Sequence, residues 1–365
     1  MPIEINMLSS ATNVKGQGVG SMYMEQVRLI KEMADGFTVY ENNVRLSPIT
    51  HYHTVDFKFF LTRPFLTSKG ASVGYVHMLP ESVDGSLKLP WLVKKVFYRY
   101  IISFYKGMDF LVTVNPYFVD VLSDKYHIPR ERITYIPNFV SGKGFYKVSP
   151  EKRAEFREKY NIAPDAFVVM SAGQIQVRKG IFDFLKMAEM LPDVTFVWAG
   201  GFSFGSITDG YKEMKSVMEN PPKNVIFTGI IDREYMNEIF NIADVMLLAS
   251  FSELFPVTIL EGMCVHLPIL LRDLPIYKGI LADYYLKASD VEGFAAEIRR
   301  LRDDKDYYAE ACALSKNGNE FYSKDNVAQM WRDFYARVYG AIPERKRRAP
   351  THTHTHTAKK LPAEK

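Results

Sequence analysis

The stretch Val245-Met246-Leu247-Leu248-Ala249-Ser250-Phe251-Ser252-Glu253-Leu254-Phe255-Pro256-Val257-Thr258-Ile259-Leu260-Glu261-Gly262 decides how the chain folds. Its first five residues are an unbroken apolar run, the mark of a strand buried on both faces in a parallel sheet covered by helices. A polar loop, a proline and a second apolar series at helical spacing follow, so the strand delivers the chain into a loop and a helix opening. Two carboxylates, Glu253 and Glu261, stand eight residues apart across that opening. Each accepts two hydroxyl hydrogen bonds, which suits a polyhydroxy ligand. The run through Phe255, Pro256, Val257 and Thr258 brings backbone amides without helical partners to where phosphate oxygens are favoured. The same spacing also fits an exposed loop acid at Glu253 and a helix N-terminal acid at Glu261 favoured by the dipole, and the motif alone leaves both readings open.

Outward from this stretch, strand and helix patterns alternate in both halves of the chain, which predicts an α/β protein. In the second half the strands are expected at Phe167 to Gly173, Thr195 to Ala199, Asn224 to Thr228, Val245 to Ala249 and Pro268 to Leu271, with helices at Ile181 to Leu191, Arg233 to Ala243 and Lys324 to Tyr339. The first half offers strands at Ile3 to Leu8, Ser72 to His77, Phe110 to Val114 and Thr134 to Ile136, and helices at Ser21 to Met33 and Trp91 to Tyr105. The turn-formers of Pro137 to Gly144 read as the interdomain linker. The expected division is a first domain over 1–145, a second over 146–322, a helix over 323–340 crossing back to the first domain, and a disordered basic tail over 341–365.

A chain of 365 residues with 47% apolar and 24% charged side chains is too long for one ordinary core and suits two soluble domains. Charge divides unevenly: residues 1–150 carry 17 Lys/Arg against 12 Asp/Glu, residues 151–340 carry 22 against 28, and the tail carries 7 against 2. A basic first half suits an anionic surface, whereas the acidic second half offers no continuous basic track for nucleic acid. Cys264 and Cys312 are too few for a disulfide framework, and the start of the chain lacks a secretion signal, so a cytoplasmic protein is expected. The alternating Thr-His run from Thr351 to Thr357 offers at most a weak metal site.

Two further loops follow strands. Lys15-Gly16-Gln17-Gly18-Val19-Gly20-Ser21 lets backbone amides approach an anion at a helix N-terminus. Its spacing departs from the dinucleotide fingerprint, and no acid follows a clear second strand. Gly173-Gln174-Ile175-Gln176-Val177-Arg178-Lys179-Gly180 combines a strand end, two cations and a helix start, the chemistry of a phosphate site.

Taken in order, these segments resemble the retaining glycosyltransferases of the GT-B fold, whose E-x7-E signature is matched by Glu253 and Glu261. The resemblance extends to Ile136-Pro137-Asn138-Phe139-Val140, Lys179-Gly180, Gly200-Gly201 and Phe227-Thr228-Gly229, and so covers nearly the whole chain to Gly340. It implies two Rossmann-like domains facing an interdomain cleft. Glu261 would bind the nucleotide ribose, Glu253 the transferred sugar, and Lys179 the diphosphate, with the loop around Gly18 closing from the other side. The family's Gly-Arg is here Gly173-Gln174, which leaves part of the phosphate clamp to Arg178 or to no residue. His77, after Gly74-Tyr75-Val76, is similar to the family's active-site histidine, and relatives also carry a histidine where His51 and His53 lie. No carboxylate nucleophile stands out for a double displacement, and the resemblance implies instead a front-face reaction in which the leaving phosphate helps deprotonate the acceptor hydroxyl. No D-x-D motif of the kind that metal-dependent transferases use stands out, and no metal or other cofactor is expected.

The segment Trp91 to Lys106 places Leu92, Val93, Val96, Phe97, Tyr100, Ile101 and Phe104 on one helical stripe, beside Lys94, Lys95, Arg99 and Lys106. Such a helix suits an anionic membrane interface, and it equally suits a core helix with a basic edge. The N-terminal segments look most like bacterial enzymes that add a second hexose to glucosyl-diacylglycerol, which build the anchor glycolipid of lipoteichoic acid. That resemblance implies UDP-galactose or UDP-glucose as donor, a glycolipid acceptor, and peripheral attachment to the inner face of the cell membrane. A polyprenyl-linked or soluble acceptor, and a noncatalytic nucleotide-sugar sensor, are the competing expectations.

Overall fold

The computed structural model describes residues 2–11, 18–33, 36–80, 90–140, 144–202, 211–253 and 255–344. Part of the glycine loop before Gly18, part of the 137–144 linker, Leu254 and the tail from 345 lie outside the described residues.

Two parallel sheets organise the rest. The first contains β1 (Ile3–Leu8), β2 (Phe37–Glu41), β3 (Ile49–Tyr52), β4 (Ala71–Val76), β5 (Phe110–Thr113) and β6 (Ile133–Tyr135), in the order β2-β1-β3-β4-β5-β6. With it go α1 (Gly18–Glu32), α2 (Phe57–Leu66), α3 (Trp91–Lys106) and the short α4 (Pro116–Asp120). The second contains β7 (Val168–Ala172), β8 (Thr195–Ala199), β9 (Val225–Gly229), β10 (Val245–Leu248), β11 (Ile269–Arg272) and β12 (Leu286–Ala288), in the order β12-β11-β10-β7-β8-β9. Its helices are α5 (Pro150–Lys159), α6 (Ile181–Met190), α7 (Tyr211–Glu219), α8 (Met236–Ile242), α9 (Val257–Cys264), α10 (Pro275–Leu281), α11 (Val291–Asp303), α12 (Lys305–Phe321) and α13 (Lys324–Ala341).

Both orders reverse once. The chain leaves β1 for β2 on one side and returns to lay β3 on the other; it leaves β7 for β8 and β9 and returns to lay β10 beside β7. At such a reversal the connections after neighbouring strands run to opposite faces of the sheet, and the crevice outside the strands' C-terminal ends is where ligands of open α/β sheets bind. Strands β4, β7, β10 and β11 are buried along their whole length, β10 as an unbroken apolar run and the others with Ser72, Ser171 and Arg272 enclosed among apolar neighbours.

Short polar signals set the helix starts. Ser149, Asp290, Asp304 and Ser323 each accept a hydrogen bond from a backbone amide of the first turn of α5, α11, α12 and α13. Helix α5 is then clamped to the second sheet through Asp244, which pairs with Arg153 at 2.6 Å and with Arg157 at 2.8 Å and accepts from the Val168 amide. The Arg157 side chain is buried, and its remaining donors reach the carbonyls of Ile242, Pro164 and Ala166, which offsets its desolvation.

The last helix belongs to both halves. Val327, Trp331, Phe334, Tyr335 and Val338 of α13 are buried in one core with residues of β1, β3 and β4. The His51 ring nitrogen Nδ1 lies 2.8 Å from the Tyr335 hydroxyl, and the Trp331 ring lies 6.1 Å from that of Tyr75.

Two expectations change. A second strand does follow the glycine loop and α1: β2 pairs with β1 and ends in Glu41, which takes an ion pair from Lys31. Only half-buried and five residues long, β2 carries too weak an apolar signal to stand out in the sequence. The stripe on α3 also divides. Ile101 and Phe104 are buried, whereas Leu92, Val93 and Val96 face solvent, because the first turns of α3 run past the edge of the core.

His51 and His53 are buried, and desolvation and the neighbouring histidines hold both below the usual histidine range, His51 at about 3. The unfolded chain therefore binds protons below pH 6.5 that the folded chain does not, so stability falls as pH drops from 6.5 toward the folded values. At pH 5 the loss is about 2 kcal/mol for each histidine kept neutral, and the melting temperature is expected to be lower at pH 5 than at pH 7.5, with His53→Asn reducing the difference. Trp331→Ala, which empties the α13 contact, should cost about 3–5 kcal/mol, read as a lower denaturation midpoint.

Candidate active site

The loops after β7 and β10 meet at the reversal of the second sheet. Gly180 has φ +76°, and a Cβ there would sit 2.2 Å from the carbonyl oxygen of Ala249 at the end of β10, so only glycine allows the two loops to touch. The Phe251 amide donates to the Arg178 carbonyl at 2.8 Å, and the Arg178 guanidinium reaches the Ser252 carbonyl at 3.3 Å. This stitching brings Lys179 Nζ to 2.5 Å from Glu253 Oε1, with both side chains largely shielded from solvent. A cation from one loop and a carboxylate from the other thus share one spot, 74 residues apart in sequence.

Around them the remaining loop residues take defined places. Gln174 accepts from the Gln176 amide nitrogen at 2.8 Å. The backbone of Gly173 is close-packed against Gly200, where a Cβ would meet the Gly173 carbonyl oxygen, and that carbonyl accepts from Trp198 Nε1. Phe255 is buried with its ring 5.6 Å from Tyr322 and anchors the loop. Pro256 precedes α9, and no side chain caps the helix, so the first-turn amides of Val257 and Thr258 are left to a ligand or to solvent. Anions are favoured at such an end.

Glu261, one turn further along α9, is buried, and burial raises its carboxyl pKa while Arg233 lowers it. Arg233 Nη1 donates to Glu261 Oε1 at 2.7 Å. The sequence reading missed Arg233, which starts the short 3-10 turn Arg233–Tyr235 just past β9; its one signal was the Phe227-Thr228-Gly229 strand end before it. The charge of Glu25 on α1 also raises the Glu261 pKa.

His77 follows β4 at the C-terminal edge of the first sheet. Its ring stacks on Tyr75 at 4.2 Å with 4° between planes, and the ring of His53 lies 6.4 Å away. Burial lowers its pKa to about 4, so the imidazole is neutral at physiological pH, and Nε2 has no protein partner among the described residues. Gly18 is the first residue of α1. Trp91, Lys94, Lys95 and Arg99 stand apart from these groups, on the first turns of α3.

The family described as "Glycosyl transferases group 1" matches residues 152–321. The chain is 44% identical over 334 residues to the alpha-galactosylglucosyldiacylglycerol synthase of Streptococcus pneumoniae, covering 91% of this chain and 89% of the relative. It is 25% identical to the processive diacylglycerol alpha-glucosyltransferase of Acholeplasma laidlawii, over 79% and 84% of the two chains. Among solved structures, a sucrose-phosphate synthase from Thermosynechococcus elongatus superposes with a TM-score of 0.74 at 17% identity, covering 93% of this chain and all of that one. Anabaena HepE, solved with UDP-glucose, superposes with a TM-score of 0.72 at 14% identity, covering 92% of this chain and all of that one.

The contact that holds the two loops together is open to a direct check. Gly180→Ala is expected to destabilise the fold by about 1–3 kcal/mol, whereas Gly279→Ala, with open space around its Cβ, should leave the melting temperature within a degree or two or raise it.

Proposed function

The chain belongs to the group 1 glycosyltransferases, and on that premise we propose that it moves a hexose, galactose or glucose, from a UDP-sugar to α-glucosyl-diacylglycerol with retention at the anomeric carbon. One observation carries the acceptor: the 44% identity, along nearly the full length of both chains, to a galactosylglucosyl-diacylglycerol synthase. The donor site is argued from the crevice at the second sheet's reversal, where Lys179, Arg178 and the first-turn amides of α9 supply positive potential for a diphosphate.

In this reading Glu261 accepts from the ribose hydroxyls and Glu253 from the hydroxyls of the transferred sugar. Lys179, now paired with Glu253, meets the diphosphate as it leaves. The neutral His77 contacts the sugar from the opposite sheet. The acceptor hydroxyl attacks the anomeric carbon on the face from which the diphosphate departs, and its proton passes to a leaving phosphate oxygen. Charge develops on that diphosphate, which is where fixed cations and helix amides contribute most. The chain's own cations meet this charge, so a metal ion is not part of the scheme.

The acceptor is a lipid, and no helix among the described residues is long and apolar enough to cross a membrane. The surface suited to lipid is formed by α2 and α3, which carry six Lys or Arg between them and no acid. Phe57, Leu61 and Phe65 on α2 and Trp91, Leu92, Val93 and Val96 on α3 are all more than half exposed. Tyr100 ties the helices together through its contacts with Phe57 and Phe60. Beside them a groove of about 800 Å³ is lined by Trp91, Lys94, Lys95, Arg99, Lys106 and Lys125 among others, with no carboxylate. Apolar side chains flanked by cations fit an anionic leaflet, where each cation contributes about 1 kcal/mol.

Transfer is tested with UDP-galactose and UDP-glucose, each with α-glucosyl-diacylglycerol in anionic vesicles, with and without EDTA. We expect lipid-linked disaccharide from one donor, retained in EDTA and lost in Glu253→Ala; donor turnover without lipid product would discard the acceptor and keep the transferase. In vesicle pelleting, replacing Lys94, Lys95 and Arg99 with Gln is expected to weaken binding about tenfold or more, and replacing Phe57, Leu61 and Phe65 with Ser to weaken it even at low salt.

A further inference from the structure

Glu261 is unusual among the described acids in being almost wholly buried, with 3% of its surface exposed, while its partner Arg233 is half exposed. An ordinary surface ion pair has two exposed members and contributes little. Here the carboxylate lies inside the site and the guanidinium stands at its mouth. Their contact uses a single nitrogen and a single oxygen: Nη1 of Arg233 donates to Oε1 of Glu261 at 2.7 Å. Oε2 is left with its acceptor capacity for a ligand.

Arg233 also touches the segment that joins the two sheets. Its guanidinium lies 5.2 Å from the centre of the Phe145 ring, and Phe145 is buried edge-on against Phe240 of α8 at 5.6 Å. One side chain thus contacts a carboxylate of α9 and an aromatic ring at the domain junction. Removing the cation would leave a buried acid with Glu25 and the Cys264 thiol as its other titratable neighbours, neither of which stabilises a carboxylate.

We propose that Arg233 is a positioning residue for donor binding: its guanidinium fixes one oxygen of Glu261 and turns the other toward the vicinal hydroxyls of the donor's ribose, with Phe145 holding the guanidinium in place. The inference rests on the reading of Glu261 as the ribose contact. It adds a specific second residue, from a different loop, on which that contact depends. Because Arg233 acts through a carboxylate that reads the nucleotide and not the reacting carbon, its loss should weaken ground-state and transition-state binding alike.

The test uses the full-length protein with the UDP-sugar it turns over, comparing wild type with Arg233→Met and Arg233→Lys. Arg233→Met is expected to raise the donor KM about tenfold or more with kcat within about threefold. The rise should be larger at pH 6 than at pH 8, because a buried Glu261 without its cation takes up a proton as pH falls. Arg233→Lys restores charge without the planar fork and should recover part of the loss. A 2′-deoxyribose UDP-sugar distinguishes this inference from the reading beneath it: wild type should bind it more weakly than the parent donor, and Arg233→Met should show a smaller difference. An unchanged donor KM in Arg233→Met, or a fall in kcat alone, overturns the proposal. Equal wild-type KM for the two donors overturns the ribose assignment of Glu261, and the proposal with it, while leaving lipid transfer and its dependence on Glu253 standing.

Discussion

The close approach of Gly180 to the Ala249 carbonyl is the constraint on which the site depends. Parallel strands β7 and β10 are neighbours only because the second sheet reverses its order between them, and their loops touch only because one has no side chain at the point of contact. Everything nearby follows from that touch: the amide of Phe251 finds the Arg178 carbonyl, and Lys179 is delivered to Glu253. A larger residue would push the loops apart and separate the Lys179 cation from the Glu253 carboxylate.

A second constraint fixes the two sheets to each other. Helix α13 comes last in the chain but buries its aromatic face against the first sheet, with Tyr335 at His51 and Trp331 near Tyr75. The histidines of β3 and its end are therefore enclosed, neutral and close to His77, whose ring is set by stacking on Tyr75. Stacking on Tyr75 sets the plane of the His77 imidazole, and burial keeps it neutral at physiological pH.

The outer face of the first domain answers a different demand. Burying Phe57, Leu61, Phe65, Trp91 and Val96 within the protein would be favourable by about 1.5–3 kcal/mol each, yet the fold leaves them in the open on two helices that carry cations and no acid. A surface of that composition is stable against a partner that offers both hydrocarbon and negative charge.

Much of this was legible in the sequence, because buried parallel strands are unbroken apolar runs and loops with fixed chemistry follow them. The run Val245 to Ala249, the Glu253 and Glu261 spacing and the Lys179-Gly180 pair were readable in this way, and they carried the α/β class and the family resemblance. The half-buried strand β2 was not, since its five residues show neither a continuous run nor a clean alternation. Nor could the helical stripe of α3 reveal where the core ends, because a residue's periodicity is local while its burial depends on how far the neighbouring elements extend. Partnerships across loops were beyond the sequence altogether. That Lys179 meets Glu253 and Arg233 meets Glu261 is decided by strand order and helix placement, which bring together side chains separated by tens of residues. Sequence determined which groups were available; tertiary packing decided which of them share a charge.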